Sequence, residues 1–134
     1  MVDTNVMLDI LLAEGEWADW SRQALAQARI ENELAVNHIV IAELAGHFAD
    51  EAAVDDALRR FALIILPFTT DAALRSGRAF REYRRRGGGR DTVLADFLIA
   101  GHAAAADAAL MTRDKKIASY FPELTLIAPE TDNG

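Results

Sequence analysis

The chain has 134 residues and a mass of 14.7 kDa, close to the commonest size of one domain, which leaves no room for a separate cofactor domain. With 51% hydrophobic and 26% charged residues it has the composition of a folded globular protein, and the absence of cysteine excludes disulfides, thiolate metal sites and cysteine nucleophiles. The net charge of -7 would repel nucleic acid if it were spread evenly.

In chain order, short apolar or β-rich runs predict strands over Met1–Asp3, Glu33–Val36, Ala62–Leu66, Ala108–Met111 and Leu124–Ala128. Between them, stretches rich in Ala, Leu, Arg and Glu with helical spacing predict helices over Val6–Leu12, Glu16–Ile30, Ile39–Phe48, Asp50–Phe61, Asp71–Arg86 and Val93–Ala106. Strands that alternate with helices require crossover connections, so the expected fold is α/β, a three-layer α/β/α sandwich around a short parallel sheet of about five strands. No repeat, linker or composition shift divides the chain, and residues 1–134 are expected to form one domain. The longest apolar run, Phe61 to Phe68, is far below the roughly 20 residues of a membrane span, and no secretion signal is visible at the start. The expected location is the cytoplasm.

Charge is distributed unevenly. Seven arginines fall between Arg75 and Arg90, opposed there by Glu82 alone, so the rest of the chain is more acidic than the total suggests. This segment reads either as a solvated helix face or as a phosphate-binding edge. Gly87-Gly88-Gly89, which follows, reads as a flexible hinge; it is no phosphate-cradling loop, because a helix precedes it and no Lys-Ser or Lys-Thr follows.

In parallel sheets the working site lies at the carboxyl ends of the strands. Asp3 ends the first strand and Asp114 follows the fourth, and for each a helix-capping role is the plain alternative. Glu43 projects from an apolar helix face beside Ile39, Val40 and Gly46, and Asp96 does so beside Thr92, Val93, Ile99 and Ala100. Asp9 has similar surroundings and is taken only to flank the first helix. The topology gathers Asp3, Glu43, Asp96 and Asp114 in one pocket, where two bare carboxylates about 4 Å apart repel by roughly 4 kcal/mol at an effective dielectric of about 20. A divalent cation removes that penalty, and an all-oxygen donor set suits Mg²⁺ or Mn²⁺ better than Zn²⁺. Hydrolysis of a phosphodiester fits such a site.

These pieces together resemble the PIN-domain family, and within it the VapC-type ribonuclease toxins of toxin-antitoxin pairs. The resemblance rests on Val2-Asp3-Thr4-Asn5-Val6, Ile41-Ala42-Glu43-Leu44, Asp96 to Ala103, and Leu110-Met111-Thr112-Arg113-Asp114. It implies a metal-dependent endoribonuclease with Asp3, Glu43, Asp96 and Asp114 as catalytic and metal-binding acids and Asn5 and Thr112 in support. It also implies a homodimer and a cognate antitoxin as partners. Arg84, Arg85, Arg86, Arg90, Arg113 and Lys115 are the candidate contacts to RNA phosphates. The family's first strand usually begins a few residues before the acid, whereas only Met1 and Val2 precede Asp3, so the first strand is shortened or unusually brief.

Other classes fit less well. His38, His47 and His102 share no ligand spacing, and His102 reads as a packed residue. The chain has no G-x-S-x-G elbow, an aspartyl phosphatase would need an acid where Asn5 stands, and a receiver domain would need a phosphorylated Asp where Pro67-Phe68-Thr69 stands. A catalytically silent PIN-like binding module remains the alternative from a different class. Trp17 and Trp20, with Leu25, form either a partner groove or dimer face, or part of the core.

Overall fold

The computed structural model describes residues 1–90 and 92–130. Its elements run α1 (Thr4–Leu12), α2 (Ala18–Glu31), β1 (Ala35–Val36), α3 (His38–His47), α4 (Glu51–Arg60), β2 (Ile64–Ile65), α5 (Thr70–Arg85), α6 (Leu94–Ala105), β3 (Leu110–Met111), a 3-10 helix (Lys116–Tyr120) and β4 (Leu126–Ile127). Strand β1 pairs with β2 and β3 with β4, both parallel, with Ala35 opposite Ile64 and Leu110 opposite Leu126. Val2 joins the two pairs: it bridges Met111 in parallel, and its N–H donates to the Ala35 carbonyl at 2.8 Å. The spatial order is therefore β2, β1, Val2, β3, β4, a five-membered parallel arrangement of the expected α/β sandwich type.

The strands are shorter than the apolar runs suggest, and the helices that precede them are the reason. Ala62 (φ 51°) and Asp107 (φ 54°) take the left-handed conformation, after which the N–H of Leu63 binds the Leu58 carbonyl and that of Ala108 binds the Ala103 carbonyl. These are Schellman closures, so the first residues of both predicted strands serve as helix exits. The helix after β1 starts at once, because Asn37 accepts from Val40 N–H, and the one after β2 starts at Thr70, where Thr69 accepts from Ala72 N–H. No element is expected between Met111 and Leu124, yet the 3-10 helix forms there.

The core is built from Val2, Val6, Met7, Val36, Val40, Leu44, Phe97, Ile99, Leu110 and Met111, all nearly or wholly inaccessible. Helix α5 buries Ala72, Ser76, Ala79 and Tyr83 and turns its arginines outward. It lies so close to α6 that a Cβ at Gly101 would collide with Ser76 Oγ and stand 3.0 Å from Ser76 Cα. The glycine run after α5 is no loose hinge at its first two residues: Gly87 (φ 84°) and Gly88 close the helix, and a Cβ at Gly88 would stand 2.5 Å from the Tyr83 ring. His102 is packed, as expected; Asn37 Nδ2 meets its Nδ1 at 3.1 Å, the Pro67 backbone holds the ring as well, and burial lowers its pKa and favours the neutral form. Leu25 is buried in the core and Trp20 is half-buried against it, while Trp17 is half-buried under the Arg113 guanidinium. Among the described residues no helix is long and apolar enough to cross a membrane.

Asp9 does more than flank α1. Its carboxylate receives two guanidinium hydrogen bonds from Arg113, at 2.9 and 3.1 Å, and one from Ser21 Oγ at 2.6 Å. This ties α1, α2 and the segment after β3 together, with Asp9 only 11% exposed and Arg113 31%. Removing one partner of a fully buried pair costs about 3–5 kcal/mol. With Arg113 partly solvated, Arg113→Ala is expected to lower the unfolding free energy by about 2 kcal/mol in urea titration, and the double variant with Asp9→Ala to lose less than the two single losses added. A single-variant loss below about 0.5 kcal/mol would show the clasp to be dispensable.

Candidate active site

Asp3 sits where the central segment becomes helix. Its N–H donates to the Met111 carbonyl at 2.9 Å, which fixes it at the end of the central strand position. Its side chain caps α1 by accepting from Thr4 N–H at 2.7 Å, and it also accepts from Thr112 Oγ1 at 2.6 Å. Thr112 Oγ1 in turn accepts from the Asp114 N–H at 3.0 Å and from Asn5 Nδ2 at 3.3 Å, while Asn5 Oδ1 accepts from the Arg113 N–H at 3.3 Å. Asn5 and Thr112 thus lock the exits of two neighbouring strand positions together.

The remaining acids are anchored in the same manner. Thr4 Oγ1 donates to Glu43 Oε1, Val93 N–H to Asp96 Oδ2 at 3.0 Å, and Lys116 N–H to Asp114 Oδ1 at 3.0 Å. Capping and lining the cleft are therefore not alternatives for Asp3 and Asp96, which do both, whereas Asp114 only holds the N–H at the start of the 3-10 helix. Asp3, Glu43 and Asp96 line an open cleft of about 440 Å³ together with Thr4, Asn5, Leu8 and His47. Asp114 is joined to it through Thr112 and through its repulsion of Asp96. Thr4 and His47 are absent from the sequence-based candidates. The signals were there: Thr4 follows the strand-end acid, and His47 lies one helical turn beyond Glu43.

Burial and like charge act together on these acids. Burial pushes the Asp3 carboxyl up to about 6, with Asp96 and Glu43 adding to the rise against the hydrogen bonds from Thr112 and Thr4. Asp96 is also raised, by burial first and then by Glu43 and Asp114. Each carboxylate retains lone pairs beyond its anchoring bond, and hard oxygen donors under mutual repulsion fit Mg²⁺ or Mn²⁺. Among the described residues no three His, Asp or Glu side chains are drawn together into a ready-made metal cage.

The basic candidates stand apart from this cleft, whose lining holds no arginine. Arg113 is engaged with Asp9, and Arg85 and Arg86 with Glu82. Arg84 lies over the Phe80 ring and lines a separate cavity with Arg90, while Lys115 is exposed beside Asp114.

Because the folded-state pKa of Asp3 lies above its unfolded value of 3.8, its contribution to stability is fully present below 3.8 and is lost as pH rises through about 6. Asp3→Asn keeps the helix cap and removes the charge. In EDTA, the difference in unfolding free energy between Asp3→Asn and the parent should move in favour of the variant by about 2–3 kcal/mol from pH 4 to pH 8. A difference independent of pH would contradict the raised pKa.

The arrangement of acids at parallel strand exits can be set beside known proteins. The PIN-domain family model matches residues 1–120. No curated protein matches the chain. Among solved structures, the chain is similar to VapBC2 from Rickettsia felis bound to a DNA fragment from their promoter, with a TM-score of 0.74, 26% identity and 96% of each chain covered. It is also similar in fold to VapBC-1 from nontypeable Haemophilus influenzae, with a TM-score of 0.73, 20% identity and 96% of each chain covered. A third, DNA-bound VapBC from Salmonella typhimurium, has a TM-score of 0.69 at 21% identity, again over 96% of each chain. With the family model spanning both the Asp3 and the Asp114 strand exits, the chain belongs to the PIN-domain family.

Proposed function

We propose that this PIN domain is a metal-dependent endoribonuclease that acts as the toxin of a toxin-antitoxin pair. The observation that carries the reading is the electrostatic crowding of Asp3, Glu43 and Asp96 in one cleft, with Asp114 near enough to raise Asp96 further. Four carboxylates near one another are costly for a fold to keep unless a cation or a positive partner joins them. The likeness to toxin-antitoxin structures supports the biological setting.

In this reading Asp3, Asp96 and Asp114 hold Mg²⁺ or Mn²⁺ directly or through water. Glu43, fixed by Thr4, positions the attacking water or ligates a second ion. When bound, the cation makes a water more acidic and neutralises charge that develops on the phosphate. Thr112 and Asn5 keep Asp3 and Asp114 in register, as supporting hydrogen bonds do at other metal sites. Arg84, Arg85, Arg86, Arg90 and Lys115 contact RNA phosphates; Arg85 and Arg86 must first release Glu82, and Arg113 takes part only if it leaves Asp9. A homodimer held inactive by an antitoxin in the cytoplasm completes the assignment.

Purified, antitoxin-free protein should cut a mixed RNA substrate in Mg²⁺ or Mn²⁺ and stop in EDTA. Asp96→Asn should lower the rate by about 100-fold or more, and Thr112→Val by about 10- to 100-fold, as loss of a group that orients a ligand does. RNA affinity should fall with rising salt. Equal and negligible cutting by the folded wild type and Asp96→Asn in both metals would remove the nuclease assignment and leave a binding-only module.

A further inference from the structure

The acidic cleft has an imbalance that its carboxylates alone do not resolve. Its lining brings together Asp3, Glu43 and Asp96, and among the described residues it includes neither lysine nor arginine. A phosphodiester is an anion, so a strand that enters here meets like charge, of which a cation bound by the acids offsets only a part. The side-chain donors of the lining are mostly engaged within the site. Thr4 Oγ1 donates to Glu43, and Asn5 Nδ2 donates to Thr112 Oγ1 at 3.3 Å and lies 3.5 Å from Asp3 Oδ2. Leu8 and Gly46, which complete the wall, have no side-chain donor. His47 is the exception: its imidazole lines the cleft and is exposed, and among the described residues no hydrogen bond, ion pair or ring contact engages it.

The fold places His47 where a phosphate would need a donor. It is the last residue of α3, four positions after Glu43, so the two side chains leave the same face of the helix with Cβ atoms about 5–6 Å apart. A tetrahedral phosphate spans that gap, with one oxygen toward the water or cation at Glu43 and another toward His47. An imidazole has an N–H to donate whether it is neutral or charged, so the contact does not depend on its protonation. We infer that His47 is a substrate-binding residue, whose ring donates a hydrogen bond to a non-bridging oxygen of the RNA phosphate seated beside Asp3, Glu43 and Asp96. This role rests on the nuclease reading for its substrate and supplies the donor that the carboxylate-lined cleft otherwise lacks.

The test uses the full chain carrying Asp96→Asn, so that cutting is blocked, and a short single-stranded RNA in Mg²⁺. Adding His47→Ala should weaken RNA affinity about 5- to 30-fold, and His47→Gln, whose amide also donates, should recover most of the loss. A methylphosphonate, a neutral linkage in which a methyl group replaces one non-bridging oxygen, is then moved along the RNA one position at a time. At one linkage the His47→Ala loss should disappear, because the charged acceptor is gone, and at the others it should persist. In the RNA-free protein with Asp96 intact, His47→Ala should leave the melting temperature and the calorimetric Mn²⁺ affinity unchanged. A fall in Mn²⁺ affinity would make His47 a cation ligand and overturn the proposal. So would no loss with His47→Ala, the same loss at every linkage, or no measurable RNA binding. Cutting by the wild type and by His47→Ala is followed in parallel. Metal-dependent cutting that His47→Ala does not slow removes only the His47 contact, and linkage-specific binding without any cutting by the wild type removes only the nuclease reading.

Discussion

The architecture hangs on the hydrogen bonds of one short segment. Met1 accepts from the Met111 N–H, Val2 donates to Ala35, and Asp3 donates to Met111, so three consecutive residues knit two strand pairs into one sheet. Without this seam β1 and β2 would form one small ribbon and β3 and β4 another, each too small to be stable alone. The same seam decides which side chains meet at the strand exits. It sets Asp3 beside Thr112 and, through Thr112, beside Asp114, although more than a hundred residues separate them in the chain.

Like charges set the second constraint. A fold that collects carboxylates must hold each one by a donor that does not neutralise it. Here the donors are backbone N–H groups at helix starts and the hydroxyls of Thr4 and Thr112. Helix termini supply such donors without extra residues, because their first N–H groups lack partners within the helix. The acids are therefore oriented while they remain charged or easily charged, the state a cation needs. Asp9 shows the contrast: it is just as buried but meets a full guanidinium, which makes it a structural tie and withdraws Arg113 from other work.

Much of this was legible in the sequence. Helical periodicity located all six helices to within two residues at each end, and strand-exit logic selected Asp3 and Asp114, because both signals are local. Apolar patterning also marked Glu43 and Asp96 as acids on apolar faces. The strand lengths were not legible, since Ala62 adopts a left-handed conformation that alanine does not announce, and Asp107 one that aspartate signals only weakly. Nor was the pairing of Asp9 with Arg113, which depends on a contact across more than a hundred positions. The glycines after α5 read as a hinge because composition carries no record of the Tyr83 ring against which Gly88 packs.

The distance along the chain between the acids has a consequence for folding. Asp3 meets its partner Thr112 across 109 positions of the chain, and the fourth acid, Asp114, stands two residues further on. Contacts this remote form late, after the helices that can close on local interactions alone. No nascent fragment that ends before Thr112 can hold the four acids in register. The register of the four acids is thus a property of the whole fold, and no helix or strand pair of this protein carries any part of it alone.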